Sequence, residues 1–229
     1  MNILALDTCT EMCSAALQIN GHIIEMAELT QRGHSEKILA MLDELFAQQQ
    51  TNLKQIDAIA FGRGPGSFTG VRVGVGVAQG IAFARQLPVA PVSSLAAVAQ
   101  QAIDRFNVDY IAVAMDARMG EIYAAHFKQE QGNAVLLDQE QVCPPTQFQP
   151  FNKQQKWFAA GTGWAEYDST LTMNFSDCLD GKESALYPQA SAMIKLAQVM
   201  AENNGLVAAE QAIPVYLRDN VAKKKREQV

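Results

Sequence analysis

Two aspartates and one glycine-rich turn are the places where this sequence could do chemistry. Asp7 ends the apolar run "NILALD" and precedes "TCTEMCS", so a carboxylate shares one short segment with the hydroxyls of Thr8, Thr10 and Ser14. Asp116 ends a second apolar run, "YIAVAMD". A carboxylate at the end of a buried strand can face the metal and phosphates of a nucleotide, or it can cap its own turn through an Asx hydrogen bond. The glycine-rich stretch "FGRGPGSFTGVRVGVGVAQG" (61–80) offers a phosphate cradle, or a way for two backbones to come close. As a cradle it is incomplete. A P-loop requires a lysine for the terminal phosphates, and no lysine lies between Lys54 and Lys128. A dinucleotide fingerprint requires a third glycine where Ser67 stands, and Pro65 removes an amide donor from the turn.

Hydrolytic chemistry has less to work with. His22, His34 and His126 are far apart in sequence, and His34 is followed four residues on by Ile38, where a helical metal site would need its second histidine. There is no H-E-x-x-H and no G-x-S-x-G. Cys9, Cys13, Cys143 and Cys178 lack metal-ligand spacing and a basic context, so they read as buried, reduced thiols.

Composition sets the frame. The chain has 229 residues, 48% hydrophobic and 18% charged, enough for one large domain or two small ones. No apolar run approaches the roughly 20 residues of a membrane span, and the N-terminus lacks the basic flank of a signal peptide, so the expected compartment is the cytoplasm. A net charge of −6 is ill suited to gripping a polyanion over a wide face. The run Lys223, Lys224, Lys225, Arg226 is a local exception, read as a solvated tail or as an RNA or partner contact.

The elements that must position these residues follow from periodicity. Strands are predicted at 2–7, 12–19 and 22–29, the last two joined by an Asn20-Gly21 hairpin turn. A helix follows "HS", with Ile38, Met41, Leu42, Leu45 and Phe46 on one face and Ser35 as its cap. A strand at 57–62 leads into the glycine-rich stretch. There the valines at 71, 73, 75 and 77 argue strand, whereas Ser67 or Thr69 as a cap and "AQGIAFARQ" argue helix; periodicity leaves the two even. A strand at 87–93 and a helix at 94–106 complete a first half. A second half then restarts with a strand at 110–116 ending in Asp116, a turn at 117–120 and a strand at 121–127, repeating the opening of the chain. A strand at 157–160 ending in "GTGW" and a helix at about 190–203 follow.

The segments "LALDTCTEMCSAAL", "GHSEKILAMLDEL", "GRGPGSFTGVRVGVGVAQGIA", "AMDARMGEIYAA" and "PVYLRDNVAKK", in order and at natural spacing, resemble the TsaB (YeaZ) family of bacterial tRNA threonylcarbamoyladenosine biosynthesis proteins. The resemblance implies an α/β fold of two actin/hexokinase/Hsp70-like (ribonuclease H-like) subdomains, each a mixed sheet flanked by helices, here assigned to 1–106 and 107–215 with a basic tail at 216–229. It also implies a helix, not a strand, at 71–77. By the same resemblance the chain is a non-catalytic subunit of the t6A (N6-threonylcarbamoyladenosine) machinery. It pairs with the catalytic TsaD, is joined by the ATPase TsaE, has TsaC as a further candidate contact, and meets tRNA through the complex. Pairing of the free chain with itself stays open. The implied partner interface comprises Ile38, Met41, Leu42 and Leu45 with Gly70, Val71, Gly74, Val75 and Ala78. No cofactor of its own is implied. ATP or ADP at a partner interface would meet Asp7, Thr8, Gly64 and Gly66. A nucleotide-sensing module, a phosphotransferase and a metallopeptidase are the competing readings, the last weakened by Ile38.

Overall fold

A computed structural model describes residues 1–218; the basic run Lys223–Arg226 lies outside the described residues. The first half contains β1 (Ile3–Asp7), β2 (Met12–Ile19), β3 (His22–Leu29), α1 (His34–Gln48), β4 (Ala58–Gly64), α2 (Phe68–Arg85), β5 (Val89–Ser93) and α3 (Ser94–Phe106). The second contains β6 (Tyr110–Asp116), β7 (Ile122–Glu130), β8 (Asn133–Leu136), β9 (Gln141–Cys143), β10 (Trp157–Ala160), α4 (Gly163–Glu166), α5 (Asp168–Asn174), β11 (Leu179–Glu183) and α6 (Ala190–Glu202).

The repeat read from the sequence is a repeat of topology. The first sheet runs β3-β2-β1-β4-β5 and the second β8-β7-β6-β10-β11, the same order, with β9 added beside β7. In each, the first three strands form an antiparallel meander and the last two join in parallel. This is the ribonuclease H-like order of actin/hexokinase/Hsp70-like subdomains. Asn20 and Gly21 both take positive φ, 50° and 83°, as the predicted two-residue hairpin turn requires.

Helices cover both sheets and cross between the halves. α1 and α2 lie on one face of the first sheet, burying Ile38, Met41, Leu42 and Leu45 with Val71, Val75, Ala78 and Ala82 against Leu4, Leu6 and Phe61. On its other face Ile3, Ala5, Ala60 and Val92 meet Met193, Ile194 and Ala197 of α6, a helix of the second half. α3, from the first half, packs on the second sheet through Val98, Ala102, Ile111, Val113 and Phe127. The far face of that sheet is an aromatic layer of Phe148, Trp157, Trp164 and Phe175. The chain then returns to the first half. Val207 pairs antiparallel with Val89, Gln79 Nε2 donates to the Ala209 carbonyl at 3.2 Å, and the Val215 amide donates to the Arg63 carbonyl at 2.8 Å. The first sheet lies within residues 1–106 and the second within 107–215, while α6 and Val207, Ala209 and Val215 pack back on the first half.

One local expectation changes and one open choice is settled. α1 is not capped by Ser35, which lies within the helix; its N-cap is Gly33 at φ 82° with no side-chain bond. The 71–77 segment is helical, as the family resemblance implied and the valine alternation did not. Its inward stripe is Gly70, Val71, Gly74, Val75, Ala78 and Ala82, while Val73, Val77 and Ile81 are partly covered at the flanks of the same core. Apolar flanks on both sides of a buried stripe mimic an alternating pattern.

Candidate functional site

The two strand-ending aspartates stand at matching places, where each sheet's first strand turns into its second. Each caps its own turn: Asp7 Oδ1 accepts from the Cys9 amide at 3.0 Å, and Asp116 Oδ1 from the Arg118 amide at 2.8 Å. Their surroundings differ. Asp7 is completely buried, its Oδ2 has no hydrogen-bond partner, and desolvation raises its pKa from 3.8 to about 7 against the lowering effect of the Cys9 bonds. Asp116 lines the cleft between the halves, where it accepts from Tyr167 Oη at 3.3 Å and pairs with Arg118 at 3.2 Å.

Asp7 is sealed by the glycine-rich turn itself. A Cβ added at Gly62 would stand 1.8 Å from Asp7 Oδ2, at Gly66 2.2 Å from the Cys9 carbonyl oxygen, and at Gly70 2.1 Å from that of Thr8. At Gly74 it would meet Thr8 Oγ1 at 2.8 Å. Hydrogen bonds run through the same contact: Thr8 Oγ1 to the Gly70 carbonyl at 2.6 Å, and the Ser67 amide to the Cys9 carbonyl at 2.7 Å. These glycines therefore seat residues 7–9 of the chain's own first turn. Of the expected nucleotide-facing residues, Asp7, Thr8 and Gly64 are buried, and only Gly66 borders the cleft.

The expected partner-facing residues also need correction. Ile38, Met41, Leu42, Leu45, Gly70, Val71, Gly74, Val75 and Ala78 are all buried within the chain, on the inward faces of α1 and α2. The first sheet and the turn at Thr8 already occupy the contact that a partner was expected to make. The outward faces carry Leu39, 51% exposed, with Ala40, Asp43 and Ala47 on α1, and Gly76, Gly80 and Phe83 on α2. A Cβ at Gly76 or Gly80 would meet nothing within 4 Å, so these two glycines, unlike Gly70 and Gly74, open outward.

The cleft, about 170 Å³, lies between the two turns and is lined by Thr10, Glu11, Thr30, His34, Ser67, Asp116, Arg118 and Tyr123. Arg118 bridges it to Glu11 of the first turn. Two further ion pairs join the halves nearby: Arg63 to Glu140 at 3.0 Å, and Arg218 of the C-terminal return to Glu121 at 2.6 Å. No sequence pattern announced these pairs, because their partners are 77 and 97 residues apart.

His34 Nε2 donates to the Thr10 carbonyl at 2.9 Å, tying the start of α1 to the first turn, and Ile38 points into the core with no exposure. His126 is held by Asp138 at 2.6 Å inside the aromatic layer. Among the described residues no three His, Cys, Asp or Glu side chains are grouped to hold a metal ion. All four cysteines are free and buried, and burial raises the thiols of Cys13 and Cys143 to about 11, far from a thiolate nucleophile. No helix among the described residues is long and apolar enough to cross a membrane.

Comparison with known proteins shows the family. Residues 26–226 match the family model described as "TsaD: tRNA N6-adenosine threonylcarbamoyltransferase". The chain is 42% identical to the tRNA threonylcarbamoyladenosine biosynthesis protein TsaB of Haemophilus influenzae, covering 98% of this chain and 97% of that one. It is 39% identical to the protein of the same name from Escherichia coli, covering 98% of each. Among solved structures, YeaZ from Pseudomonas aeruginosa superposes with a TM-score of 0.87 at 40% identity, over 94% of this chain and 99% of that one.

Proposed function

Since the chain belongs to the TsaB (YeaZ) family of tRNA threonylcarbamoyladenosine biosynthesis proteins, we propose that it acts there as a non-catalytic subunit that activates a TsaD-type transferase. The observation that carries this reading is Ile38. Where a helical metal pair would place its second histidine, one turn after His34, an isoleucine is sunk in the hydrophobic core. His34 spends its Nε2 on a carbonyl of its own chain. A subunit without a metal centre contributes by binding. The surface that supports binding is the outward side of α1 and α2, where Leu39, Phe83, Gly76 and Gly80 combine exposed apolar area with two positions at which a second helix could approach closely. On this reading TsaD docks on that face, TsaE joins the pair, TsaC is a further contact, and tRNA is met through the complex. The chain has no cofactor of its own. ATP or ADP, where present, is shared with a partner at the cleft bordered by Gly66, since Asp7 and Thr8 are sealed beneath it.

The test is reconstitution on unmodified tRNA, with t6A measured by mass spectrometry. We expect no product from this chain alone and a strong dependence on it when TsaD, TsaE and TsaC are supplied. Product from the chain alone, or an unchanged rate without it, overturns the proposal. Leu39→Glu and Gly76→Leu, both on open surface, are expected to weaken capture of TsaD by ten-fold or more, equivalent to about 1.4 kcal/mol, with circular dichroism unchanged.

A further inference from the structure

The C-terminal return brings three side chains into an ordered exposed stack that the partner reading does not use. The Arg72 guanidinium lies 3.3 Å from the centroid of the Phe68 ring and 5.1 Å from that of Tyr216, and the two rings are 5.7 Å apart. Phe68 is 56% and Tyr216 40% exposed. The stack is preorganised from both sides. Phe68 and Arg72 are one turn apart on α2, and Tyr216 is fixed between the Val215 amide bond to Arg63 and the Arg218–Glu121 ion pair. Around it, Arg63, Arg118 and Arg218 are each paired with a carboxylate, whereas Arg72 has no carboxylate partner among the described residues.

We propose that Phe68, Arg72 and Tyr216 form a stacking platform for single-stranded RNA. The inference rests on the TsaB reading for its substrate class, and goes beyond it by giving this chain its own RNA contact. Each element has a matching group in such a ligand. Exposed ring faces accept unpaired bases, whose stacking is tolerant of sequence. A guanidinium lying over the Phe68 ring, beside Tyr216 and without a carboxylate partner among the described residues, keeps N–H groups for a phosphate. Arg72 offers a single cation without a carboxylate partner among the described residues, which suits a narrow contact with a strand and not a broad grip on a duplex. Unpaired loop nucleotides, which can be splayed onto aromatic faces, are the form in which RNA offers such a strand.

The experiment measures fluorescence anisotropy of a labelled, unstructured RNA of about 12 nucleotides, within the usual site sizes, and of unmodified tRNA, each titrated with full-length protein over a salt series. Wild type is expected to bind both at low salt. Arg72→Gln is expected to reduce the slope of log K against log[salt] by about 1. Tyr216→Ala is expected to weaken binding about five-fold or more, with thermal unfolding of both variants near wild type. Arg72 is exposed, so its variant decides the matter even if Tyr216→Ala loosens the C-terminal return. The proposal is overturned if wild type binds neither RNA at low salt, or if Arg72→Gln binds with unchanged affinity and slope. It is also overturned if Arg72→Gln loses bead capture of TsaD in the absence of RNA while keeping its RNA affinity, since the stack is then a protein contact. Failure of TsaD capture by wild type, with the RNA results as expected, would remove the subunit reading and leave the platform standing.

Discussion

The turn after β1 and the turn after β6 begin alike and end differently. Both place an aspartate at the end of a central strand, and both spend one carboxylate oxygen on the amide two residues on. The first turn is then pressed into by the glycine-rich segment, so that Asp7 loses water and finds nothing to bind its second oxygen. The second stays at the cleft, where Arg118 and Tyr167 meet Asp116. One motif has become a packed structural joint and the other the wall of an open site. The difference lies not in the aspartates but in what the neighbouring segment allows to approach them.

The sharpest way to break the comparison is to add one methyl group at each turn, from the strand packed on the first and within the second. Gly62→Ala sets a Cβ 1.8 Å from Asp7 Oδ2, with Cys9 Sγ at 2.9 Å, and nothing there can move without opening the joint. We expect a loss of more than about 3 kcal/mol, beyond the usual range for overpacking, or failure to fold. Gly120→Ala in the second turn meets nothing within 4 Å and costs only the strain of φ +78°, about 1–2 kcal/mol. Urea unfolding of the two variants checks the contrast. Equal losses would mean that the first turn is no tighter than the second.

Much of this was legible in the sequence, and the failures have a common cause. The strands at 12–19, 22–29, 110–116 and 157–160, the Asn20-Gly21 turn and the doubled strand-Asp-turn-strand start follow from local patterns and are present as read, whereas the strands read at 2–7, 57–62, 87–93 and 121–127 shift at their ends and β8, β9 and β11 were not read. The side from which a residue is covered is not local. The helix period groups Ile38, Met41, Leu42 and Leu45 on one apolar face, but whether that face meets a partner or the chain's own sheet depends on strands that pair far away. Gly70 and Gly74 were read as openings for a second chain, and what they admit is Thr8. The ion pairs between the halves left no periodic trace because their partners are far apart in sequence, and the Arg218–Glu121 pair and the Phe68–Arg72–Tyr216 cluster are completed by a C-terminal return that follows no repeat.

A smaller effect sharpens the comparison through pH. Asp7 has a folded-state pKa of about 7 against 3.8 unfolded, so between those values the folded protein holds a proton that the unfolded chain has released. Stability should therefore fall as pH rises from about 4 to about 7 and level off above. Asp7→Asn keeps the acceptor for the Cys9 amide and removes the buried acid. It is expected to flatten that slope and to gain on the order of 2 kcal/mol over wild type at pH 8. The same change at Asp116, which already has cationic and hydroxyl partners, is expected to move stability by about 1 kcal/mol in the unfavourable direction. Chemical denaturation at pH 5 and pH 8 measures both. A wild-type profile that rises through this window would contradict the sealed, uncompensated carboxyl.

The smallest effect joins the two turns directly. Glu11, in the first, pairs with Arg118, in the second, and their side chains are 42% and 71% exposed. An exposed pair gains little Coulomb energy against water and must hold two long side chains still, which limits it to about 0.2–1 kcal/mol. A double-mutant cycle of Glu11→Gln and Arg118→Gln isolates the coupling, provided that the Asp116–Arg118 contact is lost equally from the Arg118 single and double variants. We expect about 0.5 kcal/mol at low salt, shrinking toward zero at about 1 M, where the screening length is near 3 Å. The Arg63–Glu140 pair, with side chains only 28% and 8% exposed, provides the internal standard: its coupling should be larger and should persist in salt. If the Glu11–Arg118 coupling matched it and survived salt, the cleft would be clasped as firmly as the half-buried Arg63–Glu140 contact joins the two halves. The open second turn would then be as much a structural joint as the first.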